Sequence, residues 1–325
     1  MARVHIKTTS SSRVVYLALA GNALVAVSKF VAAAVTGSSA MLSEGFHSVV
    51  DTLNQVLLLY GMHRGRKKAD DEHPLGYGRE IYFWSFVVAL LLFTAGAGAS
   101  IYEGIVHIMH PHPIENPLVT YIVLGLATLF EGSSWVYALK NVKGKRKYSE
   151  VFGLIVRSKD PPTFIVLLED SAALMGILIA FLGVYFSVTL QLPVLDGLAS
   201  IFIGITLGLT ALLLTRETKG LLIGESPGKN VRESILRIAG QTPGIVRANN
   251  VVSVHVSPRE IMAALSVEFE DALRAPEIEA VVINLENRIR AAMPEVTSVF
   301  VKPETSRSSD NSAACPERDP TQRSG

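Results

Sequence analysis

The first two thirds of the chain consist of long apolar runs that short polar segments separate. A helix that crosses the hydrocarbon core of a bilayer needs about 20 consecutive, mostly apolar residues. Several of the runs contain glycine in mid-run, which membrane helices tolerate better than soluble ones. The pattern predicts six transmembrane helices, at residues 14–35, 41–62, 81–105, 118–139, 164–186 and 194–214.

From residue 216 onwards the pattern is that of a small soluble domain. Residues 231–239 and 278–293 place apolar side chains at helical spacing, whereas 251–256, 263–269 and 297–301 are short strand-like runs. The predicted order is α-β-β-α-β, which has the size of a ferredoxin-like domain. Residues after 304 are rich in Ser, Asp, Pro and Arg and have no apolar period, which predicts a disordered tail.

The predicted fold class is therefore a membrane all-α six-helix transmembrane bundle followed by a small cytosolic α+β C-terminal domain. The corresponding domain boundaries are listed here in chain order: a cytosolic N-terminus at 1–13, the transmembrane domain at 14–215, the C-terminal domain at 216–304 and the tail at 305–325.

Composition and charge exclude several classes of protein. Hydrophobic residues make up 49% of the chain and charged residues 18%, and the net charge is +1, from 30 Lys and Arg against 29 Asp and Glu. The charged residues are concentrated in the last third. A soluble enzyme with one large core and a strongly basic nucleic-acid-binding protein are both excluded. Cys315 is the single cysteine, so there is no intrachain disulfide framework.

The basic residues predict the orientation in the membrane. Apart from Lys29, which lies inside the first run, the Lys and Arg residues of the apolar part precede the first span or lie around the connections between spans two and three and between spans four and five. The alternate connections contain none. This asymmetry places both termini in the cytosol. The lack of an Arg- and Ser-rich amphipathic presequence favours a bacterial plasma membrane.

The second apolar run carries a cluster of polar side chains. His47 and Asp51 are four residues apart and project from one face of a helix, and Glu44 lies three residues before His47 on the same side. An imidazole and a carboxylate one turn apart supply half of a tetrahedral site for a divalent metal such as Zn²⁺. The alternative is a buried hydrogen bond that joins two helices, and this run alone does not decide between the two.

The fifth run adds the adjacent acids Glu169 and Asp170. They project about 100° apart on a helix, so at most one of them can face His47 and Asp51 directly. Two facing helices with buried acids favour a metal site over a purely structural bond, because a cation neutralises charges that would otherwise repel.

Other ionisable residues in the apolar part are weaker candidates. Asp196, near the start of the sixth run, fits an interfacial role or a helix start. Glu103 and Glu131 can carry protons or lock helices together, and Lys29 is expected to pair with one of these acids in a structural role.

These features together resemble the cation diffusion facilitators, six-span divalent-metal/proton antiporters that work as homodimers. The resemblance covers nearly the whole chain. It rests on His47, Ser48 and Asp51, on Asp196 with Gly197, on the C-terminal α-β-β-α-β order, and on the segments GSSAMLSE (37–44) and DDEHPLGYGRE (70–80). The strings DTLNQ (51–55) and LEDSAA (168–173) are most similar to the branch that contains the animal mitochondrial zinc transporter.

The resemblance implies a transport site made from one pair of residues four apart in span two and another in span five. His47 and Asp51 match the first pair, and Asp170 matches the second member of the other pair, whose first member falls on Val166. Glu169 is the expected substitute for the missing ligand, with water or Glu44 as alternatives.

Accessory metal sites of the family are incomplete in this chain. In the loop between spans two and three, Asp70 and His73 remain as possible ligands, but Tyr77 stands at the second His position. In the C-terminal domain, the positions that correspond to metal ligands hold Ser266, Phe300 and Lys302, and His255 is expected to be structural. The resemblance therefore implies a domain that dimerises and binds metal weakly or not at all. His107, His110 and His112 either capture or release metal or form a hydrated interfacial loop.

The implied function is that of a secondary transporter, not an enzyme, with no prosthetic group. It exports a divalent cation, zinc first and Mn, Fe, Co or Cd otherwise, from the cytosol in exchange for protons, as a homodimer in a lipid bilayer and without nucleic acid. No G-x-x-x-x-G-K-[ST] loop is present, so ATP is not the expected energy source. The missing ligand leaves a non-transporting metal sensor or regulatory membrane protein as one alternative. An intramembrane metallo-hydrolase is the other, although the chain has no H-E-x-x-H string.

Overall fold

The computed structural model describes residues 12–143 and 161–305. The predicted tail, apart from Thr305, and most of the basic segment between spans four and five lie outside these residues. Long helices account for most of the described chain before residue 224. They are listed here in chain order: α1 (Ser12–Thr36), α2 (Ser39–Arg64), α3 (Glu80–Met109), α4 (Pro117–Lys143), α5 (Pro161–Leu190) and α6 (Val194–Ile223).

The protein is a membrane protein with several apolar helices. Among the described residues, four helices are long and apolar enough to cross a membrane: α3, α4 through Lys140, α5 from Phe164, and α6. Helix α1 contributes a shorter apolar stretch, Asn22–Thr36. Helix α2 is not among these helices, and it carries the polar cluster around His47. Six crossings therefore stay a prediction, although each predicted run coincides with a helix to within about ten residues at either end.

Glycine allows helices α3 and α6 to pack closely. A Cβ atom added to Gly104 would lie 2.6 Å from the carbonyl oxygen of Gly197, and one added to Gly204 would lie 3.0 Å from the carbonyl oxygen of Ala97. Small residues at a membrane helix interface permit this approach. Helix α3 also contains a π-helical segment, Leu92–Ala97, close to this crossing.

The described residues divide into two compact units, those within Met1–Lys68 and Glu80–Gly220 and those within Ala69–Arg79 and Leu221–Gly325. Helix α6 runs through Ile223, past the predicted end of the transmembrane domain at residue 215. The loop Ala69–Arg79 groups with the C-terminal unit, where a Cβ at Gly78 would lie 2.6 Å from the Cβ of Ser257.

Over the residues described through Thr305, the C-terminal unit is a small three-stranded sheet with two helices, which confirms the predicted α-β-β-α-β order. Its elements are α7 (Lys229–Gly240), β1 (Ile245–Ser257), β2 (Glu260–Phe269), α8 (Ala275–Ala292) and β3 (Val296–Pro303). The strand order is β1-β2-β3, with β1 antiparallel and β3 parallel to β2. Apolar side chains of both helices pack with those of the sheet in one core, for example Ile235, Leu285 and Leu265.

Candidate functional site

One face of α2 presents three polar side chains to the interior of the bundle. His47, Asp51 and Asn54 follow one another at spacings of four and three residues, which places them in one row along the helix. His47 and Asn54 are completely buried, and Asp51 is partly exposed. The Nδ1 atom of His47 lies 3.5 Å from Oδ1 of Asp51, too far for a good hydrogen bond.

The two adjacent acids of α5 face different neighbours. The Nδ2 atom of Asn54 donates to Oε1 of Glu169 at 2.7 Å, which joins α2 to α5. The hydroxyl of Ser134 donates to Oδ2 of Asp170 at 2.9 Å, which joins α4 to α5. The side chains of Glu169 and Asp170 therefore point in different directions, as expected for consecutive residues of a helix. Glu169 is the acid that contacts α2.

Lys29 of α1 forms the centre of a buried ion-pair cluster with two acids, as expected of a structural cation. Its ammonium donates to Oε2 of Glu44 at 2.9 Å and to Oε1 of Glu131 at 2.8 Å. The side chains of Lys29 and Glu44 are fully buried, and that of Glu131 is 16% exposed. The cluster links α1, α2 and α4, so Glu44 is engaged by an ammonium in this conformation.

Several unsatisfied polar atoms of α2 lie around His47 and Asp51. Within the described part of the chain, both ring nitrogens of His47, Oγ of Ser48 and Oδ1 of Asp51 are buried without a hydrogen-bond partner. Most buried polar atoms in folded proteins have such a partner, so four together call for an explanation. Imidazole nitrogen and carboxylate oxygen are ligands that a divalent transition metal accepts.

The expected four-residue ligand set is not assembled in this conformation. Among residues 12–143 and 161–305, no three His, Cys, Asp or Glu side chains are arranged to hold one metal ion. His47 and Asp51 lie together and Glu169 reaches the same helix through Asn54, whereas Asp170 is held by Ser134. The assignment of these four residues as ligands stays a prediction.

Asp196 holds the beginning of α2. It lies in the first turn of α6 and is completely buried. Its carboxylate accepts hydrogen bonds from the Ser38 hydroxyl at 2.8 Å and from the Ser39 hydroxyl at 3.0 Å. It also accepts from the backbone amides of Ser39 at 2.5 Å and of Ala40 at 3.3 Å. These amides belong to the positive end of the α2 dipole, which a carboxylate stabilises. The Nε2 atom of His107, in α3, lies 4.0 Å from Oδ2 of Asp196. Glu103, a candidate acid of the same helix α3, is half-buried.

The loop residues proposed as an accessory metal site interact with one another. The Tyr77 hydroxyl donates to Oδ2 of Asp70 at 2.8 Å, and the His73 amide donates to Oδ1 at 2.9 Å. The His73 and Tyr77 rings are 4.2 Å apart, and Nδ1 of His73 is 3.7 Å from Asp70. Tyr77, which stands where the family resemblance implies a second histidine, thus places its phenol beside the carboxylate of Asp70.

The corresponding positions of the C-terminal unit also hold hydrogen bonds in place of ligands. Ser266 donates to Oε2 of Glu304 at 2.5 Å, and the Lys302 ammonium lies 3.0 Å from its Oε1. Phe300 is exposed on β3, and His255 is buried in β1. The expectation of weak metal binding or none in this unit stays a prediction.

The sequence interpretation gave no role to Asn54 or Ser134, which hold Glu169 and Asp170. Asn54 lies three residues after Asp51 on the same face, so its spacing was a usable signal. Ser134 gave no such signal, because nothing in a sequence tells which of several small polar residues of α4 faces α5.

Apolar helices with ionisable side chains buried between them are typical of membrane transport proteins. The model of the cation efflux transmembrane domain matches residues 15–223. This chain belongs to that family, the cation diffusion facilitators, whose members are transporters and not enzymes.

Curated relatives come from several kinds of organism. A mitochondrial proton-coupled zinc antiporter of Xenopus laevis is 31% identical over 263 residues, which cover 79% of this chain and 46% of the antiporter. Metal tolerance protein C4 of Arabidopsis thaliana is 32% identical over 237 residues, 72% of this chain and 52% of that protein. An uncharacterized transporter of Methanocaldococcus jannaschii is 24% identical over 85% of this chain and 92% of its own length. The chain thus spans about half the length of the first two relatives.

Proposed function

We propose that the chain is a secondary transporter that exports a divalent transition-metal cation, zinc first, from the cytosol in exchange for protons. The observation that carries the proposal is the group of buried, unpartnered polar atoms at His47 and Asp51 in the middle of α2. Such atoms are costly in a membrane span and are retained where they bind or conduct an ion.

The choice of zinc and of protons is supported by chemistry and by the relatives. Imidazole is a preferred ligand of zinc, whereas a site of carboxylates alone suits magnesium, calcium or manganese. The Xenopus laevis relative is named a proton-coupled zinc antiporter. A histidine and carboxylates bind a metal in their deprotonated forms, so metal binding releases protons and protonation releases metal.

In the proposed cycle, His47 and Asp51 bind the incoming cation and Glu169 or Asp170 completes its coordination. Glu169 is already held to α2 by Asn54, so we expect it to be the first of the two to bind. Asp170 accepts from Ser134 through Oδ2 alone, so it can join the site by turning its side chain toward α2 or by binding the metal through Oδ1. Reorientation of the bundle then exposes the site to the other side, where protons displace the metal.

We also propose that the protein crosses the membrane six times with both termini in the cytosol and functions as a homodimer through its C-terminal unit. The connections expected in the cytosol carry the basic residues, and the alternate connections carry none. Light scattering of the detergent-solubilised protein measures the oligomeric state. Accessibility of single engineered cysteines in closed vesicles, with Cys315 replaced by Ser, measures the topology.

The deciding experiment is metal flux into proteoliposomes that contain a metal-sensitive dye and an acidic lumen. Wild type is compared with His47→Ala, Asp51→Ala and Asp170→Ala for Zn²⁺, Mn²⁺, Fe²⁺ and Co²⁺. Proton movement is followed with a second dye. We expect uptake of Zn²⁺ by the wild type and its loss in the His47 and Asp51 variants, together with loss of the coupled proton signal.

Thr52→Val is the matched control on α2, because the Thr52 hydroxyl donates to the backbone carbonyl of Ser48 and has no place in the proposed site. Glu169→Gln keeps an acceptor for Asn54 and removes only the charge, so loss of uptake in this variant assigns Glu169 as the substitute ligand. Equal uptake by the wild type and the His47 and Asp51 variants would refute the site.

A further inference from the structure

The ammonium of Lys29 lies at the position between two carboxylates that a small cation would occupy. It is 2.9 Å from Glu44 and 2.8 Å from Glu131, and the second oxygen of each acid, Oε1 of Glu44 and Oε2 of Glu131, has no hydrogen-bond partner in the described residues. Two acids from different helices thus share one positive charge. With that charge removed, they would form a two-carboxylate cation site.

The cluster is held in place by close packing around it. Glu44 lies three residues before His47 on α2, so the two side chains are neighbours on the helix surface. A Cβ atom at Gly176 of α5 would overlap Oε1 of Glu44, so this wall of the cluster exists only because residue 176 has no side chain. The second carboxylate oxygen therefore faces α5 from beside the candidate transport site.

Charge balance makes the lysine necessary in this place. Two carboxylates separated by an ammonium in a bundle interior are strongly coupled, because the effective dielectric constant there is low. Removal of the ammonium alone leaves two uncompensated buried charges, whereas removal of the lysine together with one acid leaves the net charge of the cluster unchanged. We therefore expect loss of Lys29 to destabilise the fold through the two uncompensated carboxylate charges and not through the lost contacts of the lysine side chain.

We propose that Lys29 is a tethered cation that keeps the Glu44–Glu131 carboxylate pair occupied, and that it thereby confines the transported metal to the site at His47 and Asp51. Lys29 is a positioning residue: it sets the number and place of cations that the interior binds. The proposal rests on the proposed transport function for its biological meaning, but the occupancy of the pair is tested separately.

The test counts metal ions bound by detergent-solubilised full-length protein. Mn²⁺ is the probe, because carboxylates suit it and because the loss of its free-ion electron paramagnetic resonance signal measures binding directly. Lys29→Ala, which leaves space between the acids, should bind about one more Mn²⁺ per chain than the wild type. Lys29→Arg retains the positive charge and should bind no additional Mn²⁺. Lys29→Ala combined with Glu131→Gln breaks the carboxylate pair and should bind no additional Mn²⁺ either.

The outcomes separate this proposal from the proposed function. A monodisperse Lys29→Ala variant that binds no more Mn²⁺ than the wild type overturns the tethered-cation role, as does an extra ion that persists after Glu131→Gln. A wild type that moves no metal refutes the transport function, yet the difference between Lys29→Ala and its Glu131→Gln double variant still decides the role of Lys29.

A second measurement applies if Lys29→Ala does not remain folded. Lys29→Met fills the space without a charge and should melt at a lower temperature than the wild type. Adding Glu131→Gln to it restores the net charge and should raise the apparent melting temperature by at least about 5 °C. A double variant that melts no higher than Lys29→Met shows a purely structural tether and overturns the proposal.

Discussion

Asp196→Ala removes the carboxylate that holds the beginning of α2 to α6. The change leaves the amides of Ser39 and Ala40, which are buried and point along the helix axis, without their acceptor. The hydroxyls of Ser38 and Ser39 also lose their acceptor, but a hydroxyl can rotate toward another acceptor, and that of Ser38 still accepts from the Met41 amide at 3.2 Å. The cost therefore comes mainly from the two amides.

An unsatisfied buried amide costs about 1–3 kcal/mol, so two of them cost about 2–6 kcal/mol. Loss of the interaction between the carboxylate and the helix dipole adds about 0.5–1 kcal/mol. A destabilisation of about 4 kcal/mol corresponds to an apparent melting temperature about 10 °C lower for a domain of this size. Asp196→Asn keeps one acceptor oxygen and should lose about half as much.

The assay is a thermal melt of detergent-solubilised protein followed by tryptophan fluorescence. Glu103→Ala is the control, because Glu103 is an acid of the neighbouring helix α3 but is half-buried. We expect it to change the melting temperature by no more than about 3 °C. An Asp196→Ala variant that melts as the wild type does, or a Glu103→Ala variant that is equally destabilised, would refute the assignment of Asp196 as the acid that holds α2.

Two further substitutions test the packing and the polar contacts of α5. Gly176→Ala places a methyl group against the carboxylate of Glu44 and should lower both the melting temperature and zinc uptake, whereas Gly125→Ala, with open space around its Cβ position, should lower neither. Asn54→Leu leaves Glu169 without its amide donor and should destabilise the fold by about 1–3 kcal/mol. Combining it with Glu169→Met should restore the melting temperature without restoring uptake, and restored uptake would show that Glu169 has no part in transport.

The order of elements could be predicted from the sequence because each depends on a local pattern. The six apolar runs coincide with helices, and the alternation and period after residue 216 gave the order of the C-terminal elements. The proximity of His47 and Asp51 followed from their spacing alone. These are properties of one helix or one strand, which a short stretch of sequence determines.

The contacts between helices could not be predicted in the same way. Lys29 was expected to pair with an acid, but its choice of Glu44 as well as Glu131 depends on the order in which α1, α2 and α4 pack. The grouping of the loop Ala69–Arg79 with the C-terminal unit was likewise not predicted, because its place in the chain is between two spans. Packing partners follow from the shapes of whole helices, and a linear sequence does not display them.

The buried acids of the bundle differ in how their charge is compensated, and this difference is the reason for proposing the transport site at Asp51. Glu44 has the ammonium of Lys29, Asp196 has the N-terminus of α2, and Glu169 has an amide donor. Asp51 has His47 at 3.5 Å and no hydrogen-bond partner for its buried Oδ1 in the described residues. A cation entering the interior gains most beside the least compensated acid, so neutralising Asp51 should abolish metal binding in a folded protein, whereas loss of Asp196 should act through stability.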